Sequence, residues 1–261
     1  MVYSAVFAQT LIMPETSKDD FEKMTFEVEV NKDSYVMSEP IFVRFKFSNK
    51  TGLPQTTYSP SFLQESKLKV NFNGRTSVFD HLSSINGPGI RFAGTIPAGG
   101  FSTGDEMLSS PLVGTFFPEP GSYKFQFVLH SPGGDKTIES NVLEVTIEKP
   151  TGINKEAFDF IKKHQEFFGL SSWTYDGKNS EALLERLVND YGQSVYGEIA
   201  ISSLGFLYLA KGEIEKAKVE FDKIKSSENP IIAKEANRSL ADITKRKADL
   251  QNLEKQKQKP Q

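Results

Sequence analysis

The chain has 261 residues, 38% of them hydrophobic and 25% charged, with 31 basic against 34 acidic side chains and no cysteine. That length and composition suit one large globular domain or two ordinary ones. The balanced charge lacks the one-sided positive field of a nucleic-acid binder, no apolar run approaches the ~18 residues of a membrane helix, and disulfides, zinc thiolates and thiol nucleophiles are excluded.

Residues 1–22 form an N-terminal segment of open meaning. The start is apolar, and Val6-Phe7-Ala8 before Gln9 has the small-x-small character of a signal-peptidase site. The stretch is short for a signal and lacks a basic lead. It is either the remnant of an export signal, implying a periplasmic or secreted protein, or a plain tail that leaves a cytoplasmic location open.

From residue 23 to 149 the apolar residues alternate. Phe26, Val28 and Val30 share one face, as do Ile41, Val43, Phe45 and Phe47, then Leu68, Val70 and Phe72, then Tyr123, Phe125, Phe127 and Leu129, and last Val142 or Leu143 through Val145 and Ile147. This period of two predicts half-buried strands, parted by turn-forming segments such as Asn49-Lys50-Thr51-Gly52. Asn73-Gly74 is the strongest hairpin signal, because both residues tolerate positive φ. Residues 81–112, rich in glycine and proline, read as an extended loop with short strands at most near residues 91–93 and 107–108. Loops of that length often carry function.

The stretch Glu119-Pro120-Gly121-Ser122-Tyr123-Lys124-Phe125 resembles the tyrosine corner of immunoglobulin-like domains, in which the hydroxyl bonds back to the preceding turn. The opening Ser34-Tyr35-Val36-Met37-Ser38-Glu39-Pro40-Ile41 is similar to that of bacterial immunoglobulin-like domains and of the intracellular proteinase inhibitors. The resemblance implies an immunoglobulin-like antiparallel β-sandwich.

Past Pro150 the period becomes helical, with helices expected over residues 155–168, 180–191, 194–210, 214–226 and 231–256. Within residues 201–224, Leu204-Gly205, Tyr208, Gly212, Ala217 and Phe221 resemble a tetratricopeptide repeat, with small residues where two helices touch and large ones between them. Ala182 and Leu187 precede Ala217 and Phe221 by about one repeat length. The resemblance implies a TPR-like helical array over residues 153–256, hence a β + α protein of two domains that works by protein contact.

Residues able to do chemistry are sparse. His81, His130 and His164 are scattered without carboxylates at metal-ligand spacing, and no nucleophile, nucleotide or zinc-protease motif occurs. The sequence therefore predicts a non-enzymatic interaction or scaffold protein, exported and bacterial, with a protein partner, no cofactor, no metal, no nucleic acid and no membrane span. The array resemblance places a binding groove at Ile199, Ser202, Phe206, Leu209 and Ala210, unless the closing helix or the β-sandwich covers it. A second patch, Trp173 and Tyr175 beside Phe167 and Phe168, either anchors a partner or plugs the helices. The alternative function is protease inhibition, or carbohydrate binding, through the β-domain; Phe42, Phe62 and Phe79 are its aromatic candidates. The basic tail, residues 245–261, complements the negative end of the last helix.

Overall fold

The computed structural model describes residues 21–58, 66–79, 93–109, 116–130, 136–164 and 179–257. A short 3-10 turn, Phe21–Lys23, leads into β1 (Met24–Val30), β2 (Ser34–Val36), β3 (Ile41–Asn49), β4 (Gln55–Tyr58), β5 (Ser66–Phe72), β6 (Arg75–Phe79), β7 (Ala93–Ile96), β8 (Phe101–Ser109), β9 (Gly121–His130), β10 (Thr137–Glu139) and β11 (Leu143–Glu148). Five helices follow: α1 (Gly152–Lys163), α2 (Asn179–Tyr191), α3 (Gly197–Ala210), α4 (Ile214–Ile224) and α5 (Pro230–Lys257).

The strands form a three-stranded sheet in the order β1-β3-β8, a six-stranded sheet in the order β2-β11-β9-β5-β6 with β10 on β9, and a separate β4-β7 pair. Side chains that alternate along the strands meet in an aromatic core between the two larger sheets. Phe26 stacks on its cross-strand partner Phe47 at 4.6 Å, and its ring lies 6.4 Å from Phe127 of the other sheet. Aromatic pairs of this kind stabilise beyond the area they bury. Asn141 joins the two layers, accepting from the Val28 amide at 2.8 Å and donating to the Val28 carbonyl at 2.9 Å. The Asn73-Gly74 hairpin joins β5 to β6, with φ of 51° and 77° at its two turn residues.

The architecture differs from an immunoglobulin-like antiparallel sandwich followed by a TPR-like array. The six-stranded sheet is mixed, because β2 runs parallel to β11 with Ser34 opposite Thr146 and Val36 opposite Glu148. The helices are few and do not stack as repeats. In an array the first helix of each unit leaves one face open, whereas α3 is buried nearly all round: Ile199, Ala200, Ile201, Leu204, Leu207 and Tyr208 are all inside. It is the centre of a small cluster formed with α1, α2, α4 and α5. The chain is a mixed α/β protein.

The region expected as a loop also differs. It contains β7 and the nine-residue β8, which pairs along β3 from Phe101 opposite Ser48 to Ser109 opposite Ile41. Its alternation is hidden because Gly104 faces the ring of Phe45. A Cβ there would lie 2.2 Å from the ring edge, so the ring takes the space of an apolar side chain.

The helical cluster closes on a tight contact between α3 and α4. A Cβ at Gly205 would come within 2.8 Å of the Phe221 ring, and Ala217 has no exposed surface. Phe42, at the start of β3, belongs to this helical core rather than to the one between the sheets. The reason is positional. β2 lies beside β11, the strand that leads directly into α1, so the segment between β2 and β3 faces the helices. The Met37 amide donates to the Glu148 carbonyl at 2.8 Å, and the Met37 carbonyl accepts from the Tyr196 hydroxyl at 2.6 Å.

Candidate functional site

Where the β2–β3 segment meets the helices, a cleft of about 990 Å³ remains open. One wall carries Asn31, Lys32, Glu39, Pro40 and Phe42; the other is built from α2, the α2–α3 turn, α3, the end of α4 and the start of α5. Its apolar lining residues, Phe42, Ile199, Ile201, Ile224 and Ile232 among them, are largely buried, Val188 and Val195 are half-buried, and the open surface is more polar than apolar.

Local chemistry holds both walls in place. Glu39 accepts the Val36 amide at 2.8 Å and pairs with Lys32 at 2.5 Å, closing the β2–β3 turn, where Ser38 takes a φ of 63°. Tyr35 is buried behind that turn and donates to Asn31 Oδ1 at 2.7 Å; burial pushes its hydroxyl pKa up to about 12. On the other side Asn229 caps α5, accepting the amides of Ile231 at 3.0 Å and Ile232 at 3.4 Å. Pro230 stands at the first helical position, where a missing amide costs nothing. The α2–α3 turn is tied to α1 by the Val195 amide on Asn154 Oδ1 at 3.0 Å. Tyr196 is fully buried, and that burial, followed by the nearby Glu39 charge, raises its pKa and keeps the hydroxyl a donor to Met37. Ser194 Oγ, on the cleft wall, is buried with no hydrogen-bond partner among the described residues, an unmet demand worth about 1–3 kcal/mol.

The residues expected from the sequence are not brought together in one groove. Ile199 lines the cleft. Ser202 is buried in α3, Phe206 packs edge-on against Phe221 with ring centres 5.1 Å apart, and Leu209 is half-buried against the helical core. Trp173 and Tyr175, with Phe167 and Phe168, lie outside the described residues. Of the aromatic residues considered for carbohydrate, Phe42 is buried, Phe79 packs on Phe116, and Phe62 lies outside the described residues. Of the opposite wall, Asn31 to Phe42, only Phe42 is expected from the sequence as a binding residue, and for carbohydrate; the polar turn at Asn31-Lys32-Asp33-Ser34 and the stretch over residues 34–41 read there as structure rather than as a site. Among the described residues there is no group of three or more His, Asp or Glu able to hold a metal ion, and no helix long and apolar enough to cross a membrane.

No protein-family model and no curated protein matches the sequence. Among solved structures, the chain shows distant similarity to the sporulation control protein Spo0M from Bacillus subtilis, at 11% identity and a TM-score of 0.31, covering 54% of this chain and 55% of that one. It thus spans about half the length of Spo0M. A CARDB domain from Pyrococcus furiosus matches at 9% identity and a TM-score of 0.27, over 48% of this chain and 93% of the domain. A β-glucosidase from Listeria innocua matches at 13% identity and a TM-score of 0.30, over 48% of this chain and 16% of the enzyme. Likenesses this distant assign neither activity nor ligand.

Proposed function

We propose that this protein is a non-enzymatic binding protein, exported by a bacterial cell, that holds a protein partner in the cleft between its strands and its helices. The observation that carries this reading is the cleft itself, lined by polar and charged side chains with apolar ones such as Val188 and Val195 between them. Protein-binding surfaces mix apolar and polar side chains in this way. Both walls are fixed by hydrogen bonds from named side chains, so the site is formed before a partner arrives, which lowers the ordering cost of binding.

The test is site-specific photocrosslinking in the source cells. A photoreactive residue at Asn189, on the exposed rim, is expected to give one discrete adduct. The same residue at Phe101, an exposed position at the opposite end of β3, is expected to give none. Equal adducts at both positions, or none at either, would remove the cleft as the site. N-terminal sequencing of the mature protein from those cells tests export; an intact Met1 would overturn it.

A further inference from the structure

Five charged side chains line the cleft: Lys32, Glu39, Glu198, Lys223 and Glu228. They do not cancel. Lys32 is paired with Glu39 at 2.5 Å, and Lys223 is held by Glu220 of α4 at 2.7 Å, a residue outside the cleft. Among the described residues Glu198 accepts only the Ser227 hydroxyl, at 2.7 Å, and Glu228 has no partner, so neither carboxylate meets a described cation. Glu198 is half-buried in the cleft wall, where an opposite charge is worth more than on open surface, and Glu228 is exposed at the edge. Carboxamides complete the rim. Asn31 and Asn229 each use the oxygen inward, leaving amide hydrogens to offer, while Asn189 and Gln193 are exposed with both donor and acceptor to offer. A row of groups that both donate and accept suits a peptide backbone, which presents the same alternation. At about 990 Å³ the cleft is also at the upper end of the roughly 300–1,000 Å³ typical of small-molecule pockets.

We infer that the occupant is an extended segment of the partner protein carrying a lysine or arginine next to apolar side chains, with the cation received by Glu198 and Glu228 and the apolar groups seated on the half-buried Val188 and Val195. This rests on the cleft reading above and specifies its ligand. The lysine or arginine supplies the charge that the two unpaired carboxylates lack, and the backbone meets the carboxamide rim.

Random peptides displayed on phage and selected against the full chain test the inference. Enriched sequences are expected to place Lys or Arg beside an apolar residue, and to bind the E198Q/E228Q variant about tenfold more weakly. Glutamine at position 198 can still accept the Ser227 hydroxyl, so thermal unfolding of that variant is expected to match the parent. A second variant, Asn189→Trp, places a large side chain at the cleft mouth. Basic peptides that still bind Asn189→Trp would overturn the cleft reading as a whole. Peptides lost on Asn189→Trp but indifferent to E198Q/E228Q, or enriched without a basic residue, would overturn the charge assignment alone. Selections that enrich nothing would overturn the peptide as occupant, with the crosslinking experiment deciding the cleft independently.

Discussion

Tyr123 carries two hydrogen bonds on one oxygen, donating to the Glu119 carbonyl at 2.7 Å and accepting from the Glu119 amide at 3.1 Å. Its ring is buried and stacked on Phe72 at 4.3 Å. Tyr123→Phe keeps the stacking and strands both backbone groups, so a loss of about 1–3 kcal/mol is expected. It would be read as a lower urea midpoint at an unchanged slope; an unchanged midpoint would mean that water replaces the hydroxyl. Burial raises the pKa of this tyrosine above 10.0, as it does for Tyr35, Tyr196 and Tyr208. A folded-state value above the unfolded one means stability fully present below pH 10 and lost as pH rises beyond it. Four of the eight tyrosines should therefore ionise only as the fold fails, giving a phenolate absorbance titration that steepens with unfolding. At Gly205 two effects oppose each other. A leucine there would gain about 1 kcal/mol of helix propensity, but Phe221 has no exposed surface and its ring would have to move. Overpacking of about 1–3 kcal/mol or more should win, and Gly205→Leu should unfold at lower temperature than the parent. Tyr123 and Gly205 were both legible in the sequence because their signals are local: a turn before an alternating strand, and a small residue one helix face away from large ones.

Between elements the signals thin out. Only residues 107–108 of β8 read as strand in the sequence, because the rest answers to its neighbours: Gly104 yields to the ring of Phe45, and Asp105 faces cations on two other elements. Asp105 accepts Arg44 Nε from β3 at 2.8 Å and Lys234 Nζ from α5 at 2.7 Å. Burial alone would raise the Asp105 pKa, but the bonds from Lys234 and Arg44 outweigh it and hold the carboxyl below its usual 3.8. A depressed value means stability present above pH 3.8 and lost as pH falls through the lower folded-state value. Lys234 is 72% exposed, so the pair is worth only about 0.2–1 kcal/mol. Asp105→Asn should accordingly flatten the acid end of the stability curve and speed amide exchange in the first turns of α5. Identical acid profiles for the two proteins would show that the clamp is idle. The parallel pairing of β2 with β11 left no local trace either, since three residues with one buried side chain carry no period and the partner lies more than a hundred positions away. That pairing overturned the expected sheet class.

Over the whole molecule, Phe42 couples strands to helices by packing, beside the Lys234–Asp105 pair and the Tyr196–Met37 hydrogen bond. It belongs to a strand by sequence and to the helical core by contact. Phe42→Ala should cost about 3–5 kcal/mol. Calorimetry should then resolve two transitions where the parent shows one, and a single transition in both would mean that coupling lies elsewhere. Of the candidate site, Ile199 on the helical side and Phe42 on the strand side were readable from the sequence, but as parts of two separate sites. The facing wall exists because β2, lying against β11, turns Glu39 and Phe42 toward helices that begin more than a hundred residues later. Ser34 and Glu148, whose side chains bond at 2.5 Å, are 114 residues apart in the chain. At ordinary rates of synthesis β2 waits on the order of ten seconds for its partner to be made. Throughout that interval the Met37 carbonyl and the ring of Phe42 have nothing to cover them, and they stay uncovered until Tyr196 has left the ribosome. A nascent chain stalled between residues 148 and 196 would therefore display a greasy handle that the finished protein hides, and chaperone capture should peak at those lengths and cease beyond them.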